Sequence, residues 1–425
     1  MRTRVAILGA ALLGLAAGYF LASPRVAAQQ NAPFRMAAVP SERGGQDIFG
    51  PYEPVADWPK DLSTLPNHQA WTFGAGQSVF AESADRVYVL DRGELPNIMR
   101  PRAKKLDDLG PSLVFPIGRL PWRDATSASL PGNGGTGQLA EEGIQAWERA
   151  GNKMGVDARW EHCILVFNSK GELVESWTQW DSMMQRPHFV AISPYDAEKH
   201  VWIVDDHSHA LFKFTHDGKT LVQTIGTPNK AGADATHFNR PTFLTWLPDS
   251  TMFVADGYNG TRVARFDKDG KFVTAWGTRG NGPGQFNVVH GITSDPVTRR
   301  VYVSDRGNKR MQVFDENGKF LDQWPFSPAS NTQFLIIPAD RSGIWAFEDT
   351  TAKVVKYDLE GHFLYAWGTL GDHPGGFFNM HGASTDQQGN LYIAEVGNGR
   401  LQKFRPRAGA NKAFLVGPPA YAAWR

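Results

Sequence analysis

Cysteine is all but missing. The single residue among 425, Cys163, excludes an intrachain disulfide. It opens a strand-like stretch and reads as a small core residue rather than a nucleophile. A charge excess of either sign is also missing: 44 Lys+Arg against 43 Asp+Glu leave a net charge of +1. That balance gives no electrostatic reason for a nucleic-acid or acidic-surface partner. Adjacent arginines are absent at the N-terminus, where Arg2 and Arg4 are separated, so a twin-arginine signal is not supported. The long apolar run is Val5 to Ala22, with basic MRTR before it and Val26-Ala27-Ala28 after it. Residues 1–28 therefore read as a secretory signal, and the run is also just long enough to remain as an uncleaved anchor. Both readings place the remainder outside the cytoplasm, periplasmic or secreted, with membrane contact only if the segment is uncleaved.

Turn formers are plentiful, with 44 Gly and 27 Pro, as a chain built from short strands requires. The stretch Phe286 to Trp324 explains them. An apolar run from His290 meets a turn at Asp295-Pro296, then comes VYVSD, a Gly-Asn turn, MQVFD, the turn Glu316-Asn317-Gly318, and KFLDQW. Period-two alternation broken by Asx-Gly turns marks short antiparallel strands. Copies of this unit begin at Arg186, Phe238, Phe334 and Phe378, and a split copy joins Ser78–Gly93 to Ile164–Trp177. Six units of roughly 45–50 residues fall in the range for propeller blades. A lone blade cannot bury both faces, so the units must stack into a ring. The expected fold is all-β, a six-bladed propeller over residues 67–425.

Around the blades, residues 29–66 are polar and Pro-rich and read as a linker and edge wrap. Two stretches could close the ring by supplying the last blade's outer strand: Gln69–Gly74, or Ala413–Val416. Residues 96–160 form an insertion inside blade one, with a short amphipathic helix expected over 137–150. An insertion of this length suits a cap.

In a propeller the first strand of each blade lines the axis, and the start of that strand shares a face with the end of the second. At the first of these positions, alternate units carry His188, His290 and His381. Alternate blades of six stand about 120° apart, so the three imidazoles converge on the axis. With 12 His in 425 residues, three hits in six equivalent slots arise by chance less than about once in a thousand. Three histidines with an open fourth position are a recognised catalytic zinc arrangement, and the absence of thiolate or carboxylate in those slots favours zinc over copper or iron. At the second position every unit has an acid: Asp91, Asp205, Asp256, Asp305, Glu348 and Glu395. Recurrence in all blades indicates a structural role in holding turns. The residues that follow differ, and Arg92, Tyr258 and Arg306 would ring the same mouth as the histidines. Metal polarises oxygen, an arginine fork binds carboxylate, and tyrosine beside both can serve as base. The set suits an α-hydroxy acid derivative as small-molecule or peptide substrate.

From Trp71 to Arg405 the units resemble NHL repeats, and their decoration resembles the catalytic propeller of peptidyl-α-hydroxyglycine α-amidating lyase. The resemblance rests on the three histidines, on DRGELPN around Arg92, on DGYNGTRV around Tyr258 and on DRGNKRMQVF around Arg306. It implies a metal-dependent cleavage of a peptidyl-α-hydroxyglycine, or a related α-hydroxyamide, into an amide and glyoxylate. His188, His290 and His381 would hold zinc, and Tyr258 would take the hydroxyl proton. Arg92 and Arg306 would serve both substrate binding and catalysis, and Met380 would lie against the substrate. A hydroxylating monooxygenase would be a separate partner, since no such domain is present in this sequence. The family's M-P-H-D run is Asn379-Met380-His381-Gly382 here, and Gly382 stands where the family has an aspartate that supports structural calcium. Calcium is therefore doubtful. Two other classes compete. A different exported propeller hydrolase or lactonase would need carboxylate or Asn ligands on the axis, and a non-catalytic NHL scaffold would have no use for histidines in alternate blades.

Overall fold

Alternation with period two puts apolar side chains on both faces of each short sheet. The faces must then be covered by neighbouring sheets, and the ring follows. In the computed structural model, blades one to six are four-stranded antiparallel sheets. Their inner strands are Gly76–Ser83, Pro187–Ile192, Pro241–Trp246, Val289–Ser294, Thr332–Ile336 and Met380–Thr385. The structure describes residues 50–96, 159–326, 330–371, 373–397 and 399–420. It also describes the backbone of the two-residue strands Gln46–Asp47, Lys104–Lys105 and Val114–Phe115. The split copy forms a blade as expected, Ile164–Phe167 pairing with Arg86–Asp91. The signal or anchor segment, the expected helix over 137–150 and most of the insertion lie outside the described residues.

Consecutive blades are locked by a recurrent contact. The glycine of the turn between the third and fourth strands sits on the indole that ends the preceding blade. Gly318 has φ +86°, and a Cβ there would lie 2.5 Å from the Trp276 ring. Gly361 makes the same approach to Trp324. The Asx-Gly turns therefore need glycine twice, for left-handed φ and for the space the indole takes.

Ring closure differs from both expectations. The outer strand of blade six is Tyr52–Pro54, antiparallel to Arg400–Pro406 with Tyr52 opposite Pro406. The propeller thus draws on chain ahead of residue 67. Trp71–Phe73 pairs instead with Glu94–Pro96, where the insertion departs, and residues 412–414 form one 3-10 turn. The physical reason is an anchor: Tyr52 is buried, and its hydroxyl accepts the Val416 N–H at 2.9 Å, clasping the tail against the closing strand. Gln46–Asp47 adds a parallel edge to the outer strand of blade five. Cys163 is buried beside Ile164–Phe167, and burial pushes its thiol well up, which fits the core reading.

The blade acids hold turns. Asp91 accepts the N–H of Gly74, Asp205 that of Gln185, Asp256 that of Asn239, Asp305 that of Asn287 and Glu395 that of Phe378. In each case the donor lies two residues before the inner strand, so the acid sets the angle at which the chain enters the axis.

Candidate metal centre and active site

Each inner strand begins with the same irregularity. Its first residue pairs with the blade acid, and the register then shifts, as between Pro187 and Phe189, Val289 and Ile292, or Met380 and Gly382. The second residue of the strand falls in this bulge, which re-aims a side chain that the pleat would otherwise direct along the sheet normal. That residue is His188 in blade two, His290 in blade four and His381 in blade six. In the other blades it is Gln77, Thr242 and Gln333.

The three imidazoles converge as the repeat spacing requires. Ring centroids are 5.3 Å apart for His188–His290, 4.6 Å for His188–His381 and 5.0 Å for His290–His381. One ligand atom from each lies within 4.8 Å of the others. The blades without histidine complete the arrangement. Nδ1 of His188 lies 2.8 Å from the Thr242 carbonyl, Nδ1 of His290 lies 2.8 Å from that of Gln333, and Nδ1 of His381 lies 3.0 Å from that of Gln77. A carbonyl oxygen only accepts, so Nδ1 of His188 and of His290 carries the proton and their Nε2 atoms keep the lone pair; His381 also meets the Gln77 side-chain amide nitrogen, 2.8 Å from Nδ1 and 3.0 Å from Nε2. Burial pushes all three rings well below the usual imidazole range, and nearby cations act in the same direction. Three buried imidazoles, backed by main-chain acceptors, form a donor set that could hold a metal ion.

Phe243 forms the floor, its ring centroid 5.0 Å from His188, 5.1 Å from His290 and 5.5 Å from His381. Phe189 and Phe334 pack against it and close the axis below the histidines. On the other side stands Tyr258, whose hydroxyl is 3.0 Å from His188 Nε2 and 3.1 Å from His290 Nε2. Its position follows from the blade-three turn, where the Arg240 carbonyl accepts the N–H groups of Gly257 and Tyr258.

Arg92 and Arg306 are both present at this mouth. Arg92 is buried, with Nε 3.4 Å from the Pro187 carbonyl. Burial, together with Arg186 and Arg240, brings its guanidinium down to about 9. Arg306 holds Gln333 Oε1 at 2.8 Å and stands 5.2 Å from the Tyr258 ring centroid. Met380 begins the strand that carries His381 and is buried in the main apolar core. Gly382 offers no carboxylate, and a Cβ there would lie 2.9 Å from Ser78 Cα of blade one.

A second layer was not expected from the sequence. Arg186 and Arg240 stand 5.9 and 4.6 Å from the Tyr258 ring, and both reach the buried carboxylate of Asp206. Burial alone would raise Asp206, but the two guanidiniums outweigh it and hold it well below the carboxylate range. His207, beside Asp206, is pushed down to about 3 by burial. A signal for the arginines existed: Arg-Pro opens the inner strand in two consecutive units, at Arg186-Pro187 and Arg240-Pro241. The guanidiniums of Arg186, Arg240 and Arg306 therefore stand around the Tyr258 ring, with Arg92 buried close by.

Comparison with known proteins agrees with this architecture. A family described as "6-bladed beta-propeller" matches residues 233–323. NHL repeat-containing protein 3 of Mus musculus is 35% identical over 272 residues, covering 59% of this chain and 75% of that protein. The probable peptidyl-alpha-hydroxyglycine alpha-amidating lyase of Caenorhabditis elegans is 32% identical over 231 residues, covering 52% and 63%. The peptidyl-glycine alpha-amidating monooxygenase of Mus musculus is 33% identical over 168 residues, covering 37% of this chain but only 16% of that much longer protein. With a six-bladed ring of these repeats and three-quarters of a 35% identical relative covered, the chain belongs to the NHL-repeat propeller family of NHL repeat-containing protein 3, with amidating lyases among its relatives.

Proposed function

We infer that the protein is a metal-dependent carbon–nitrogen lyase acting on a peptidyl-α-hydroxyglycine or a closely related α-hydroxyamide. The observation that carries the reading is the convergence of three Nδ1-anchored histidines beneath the Tyr258 hydroxyl, inside a ring of arginines. A scaffold that only binds a partner has no need of buried neutral imidazoles held in one tautomer. Likeness to proteins named as amidating lyases supports the same class.

His188, His290 and His381 would hold the ion, and zinc suits three imidazoles with room for one more ligand. When bound, it would polarise the substrate hydroxyl oxygen and ease loss of its proton. The guanidiniums of Arg92 and Arg306 receive the carboxylate, with Arg240 and Arg186 behind them. Tyr258 serves as the general base for the hydroxyl proton. The O–H electron pair becomes the carbonyl of glyoxylate, the C–N bond breaks, and the nitrogen leaves as the amide after taking a proton back. Met380, buried in the apolar core, anchors the start of the strand that carries His381 and does not meet the substrate. The reading carries export with it, since residues 1–28 read as a signal or anchor. It also requires a hydroxylating monooxygenase elsewhere to supply the substrate.

The test is glyoxylate release from a synthetic peptidyl-α-hydroxyglycine by the zinc-loaded protein. Release that stops on chelation and in Tyr258→Phe is expected. No release from a protein that still binds one ion on these histidines would overturn the lyase assignment while keeping the metal site.

A further inference from the structure

A second group of metal-type ligands lies away from the axis. His68, Glu94, Glu161 and His162 each offer one donor atom, all within 4.8 Å of one another. We propose that they bind a second divalent cation of the zinc class, which pins together the two roots of the blade-one insertion.

Glu94 is the centre of the group. Its carboxylate is fully buried, and its two oxygens face two imidazoles, His68 Nδ1 at 2.9 Å and His162 Nδ1 at 2.5 Å. Among the described residues no lysine or arginine pairs with it. A buried carboxylate needs a cation, and with only imidazoles in reach that charge must come from protons or from a metal. The donor set, two nitrogens and two carboxylates, is one that zinc and its first-row neighbours accept and that calcium or magnesium does not favour. In a tetrahedral zinc site neighbouring donors stand about 3.3 Å apart. The donors here need only sub-ångström to ångström-scale adjustment to reach it. Glu161 is exposed and closes the group from the solvent side.

The backbone is shaped to hold this arrangement. His162 has φ 62°, in the left-handed region that costs a non-glycine residue about 1 kcal/mol or more. Asp181 keeps it there, one carboxylate oxygen accepting the His162 N–H and the other the Cys163 N–H, both at 3.0 Å. Glu94 is fixed by reciprocal backbone hydrogen bonds with Arg159 at 2.7 and 3.0 Å and by pairing with Phe73. The ligands thus come from three separated segments: the edge segment just before Trp71–Phe73, the strand Glu94–Pro96 where the insertion leaves, and the approach to Ile164–Phe167 where it returns. One ion would join all three.

Metal content of the full chain, stripped and reloaded with zinc, separates the cases by plasma mass spectrometry. Two equivalents are expected in the wild type and one in His290→Ala, the survivor being the ion proposed here. Glu94→Gln and His162→Asn should each also fall to one, and asparagine tolerates the left-handed backbone at 162. Cobalt added to His290→Ala should give visible ligand-field absorption that is lost when Glu94→Gln is added to it. Should Glu94→Gln or His162→Asn fail to fold, the other still decides. No equivalent remaining in His290→Ala, or an equivalent in His290→Ala that survives both Glu94→Gln and His162→Asn, overturns the proposal. None of these readouts depends on lyase activity.

Discussion

Replacing Arg240 by alanine tests the least expected feature of the site. Asp206 is buried and accepts from Arg240 Nε at 2.9 Å and from its terminal nitrogen at 2.5 Å, whereas Arg186 reaches it only at 3.4 Å. Removing Arg240 leaves a buried carboxylate with only long contacts, to Arg186 at 3.4 Å and His207 at 3.9 Å. Breaking a buried pair from one side costs about 3–5 kcal/mol. With an unfolding entropy of roughly 2.1 cal/mol/K per residue over a propeller of about 350 residues, that corresponds to a melting temperature lower by about 4–7 °C. The double variant Arg240→Ala/Asp206→Asn should recover most of the loss, because the amide no longer needs a cation. Activity should change separately. Arg240 stands behind the carboxylate-binding arginines, 4.6 Å from the Tyr258 ring, so its loss removes positive charge without removing a substrate hydrogen bond, and KM should rise by no more than about tenfold. Calorimetry and glyoxylate kinetics read the two effects. A melting temperature within about a degree of wild type, or a double variant no more stable than Arg240→Ala, would refute the reasoning.

Tyr258→Phe should lower kcat by about 10²–10⁴-fold, the range for a lost general base, with metal content unchanged because the tyrosine is not needed to hold the histidines. Phe243→Ala should destabilise the fold by about 3–5 kcal/mol in a urea titration and weaken metal retention against a chelator, since all three imidazoles rest on that ring. Asp295→Asn should flatten the acid limb of stability. Burial would raise the Asp295 carboxyl, but the Arg341 fork at 2.7 and 2.8 Å, with Thr298, holds it below the usual range. Its folded-state value is therefore depressed, and its stabilisation is fully present above about pH 4 and fades as pH falls through that lower value. Melting curves between about pH 2.5 and 5 should separate wild type from variant above about pH 4 and bring them together below.

The blades and the histidine slots could be read from the sequence because both are periodic. A repeat carries its own register, and the second residue of an inner strand can be counted from the turn that precedes it. What escaped was aperiodic. Tyr52–Pro54 closes the ring with three residues, too few to show alternation, and one of them is a proline that only an edge strand admits. Arg186 and Arg240 sit just ahead of their strands, in positions that read as loop, although the shared Arg-Pro dipeptide marked them. The oriented tautomers escaped for a deeper reason. The groups that accept from Nδ1 are main-chain carbonyls of Gln77, Thr242 and Gln333, and every residue type has one.

That division of labour accounts for the alternation itself. Six inner strands reach the axis, but ring centroids only 4.6–5.3 Å apart leave no room for six imidazoles. Three blades can supply nitrogen only if the other three supply something smaller in the same layer. The bulge does both jobs: in even blades it turns a side chain inward, and in odd blades it leaves a carbonyl facing the imidazole of the preceding blade. Thr242 shows how closely the two are joined. Its carbonyl holds His188 while its hydroxyl donates to the His290 carbonyl at 3.0 Å. A propeller with an odd number of blades could not alternate donors and supports around the ring without placing two of one kind side by side. A six-bladed ring can, and three-fold convergence of imidazoles on one point follows from that parity.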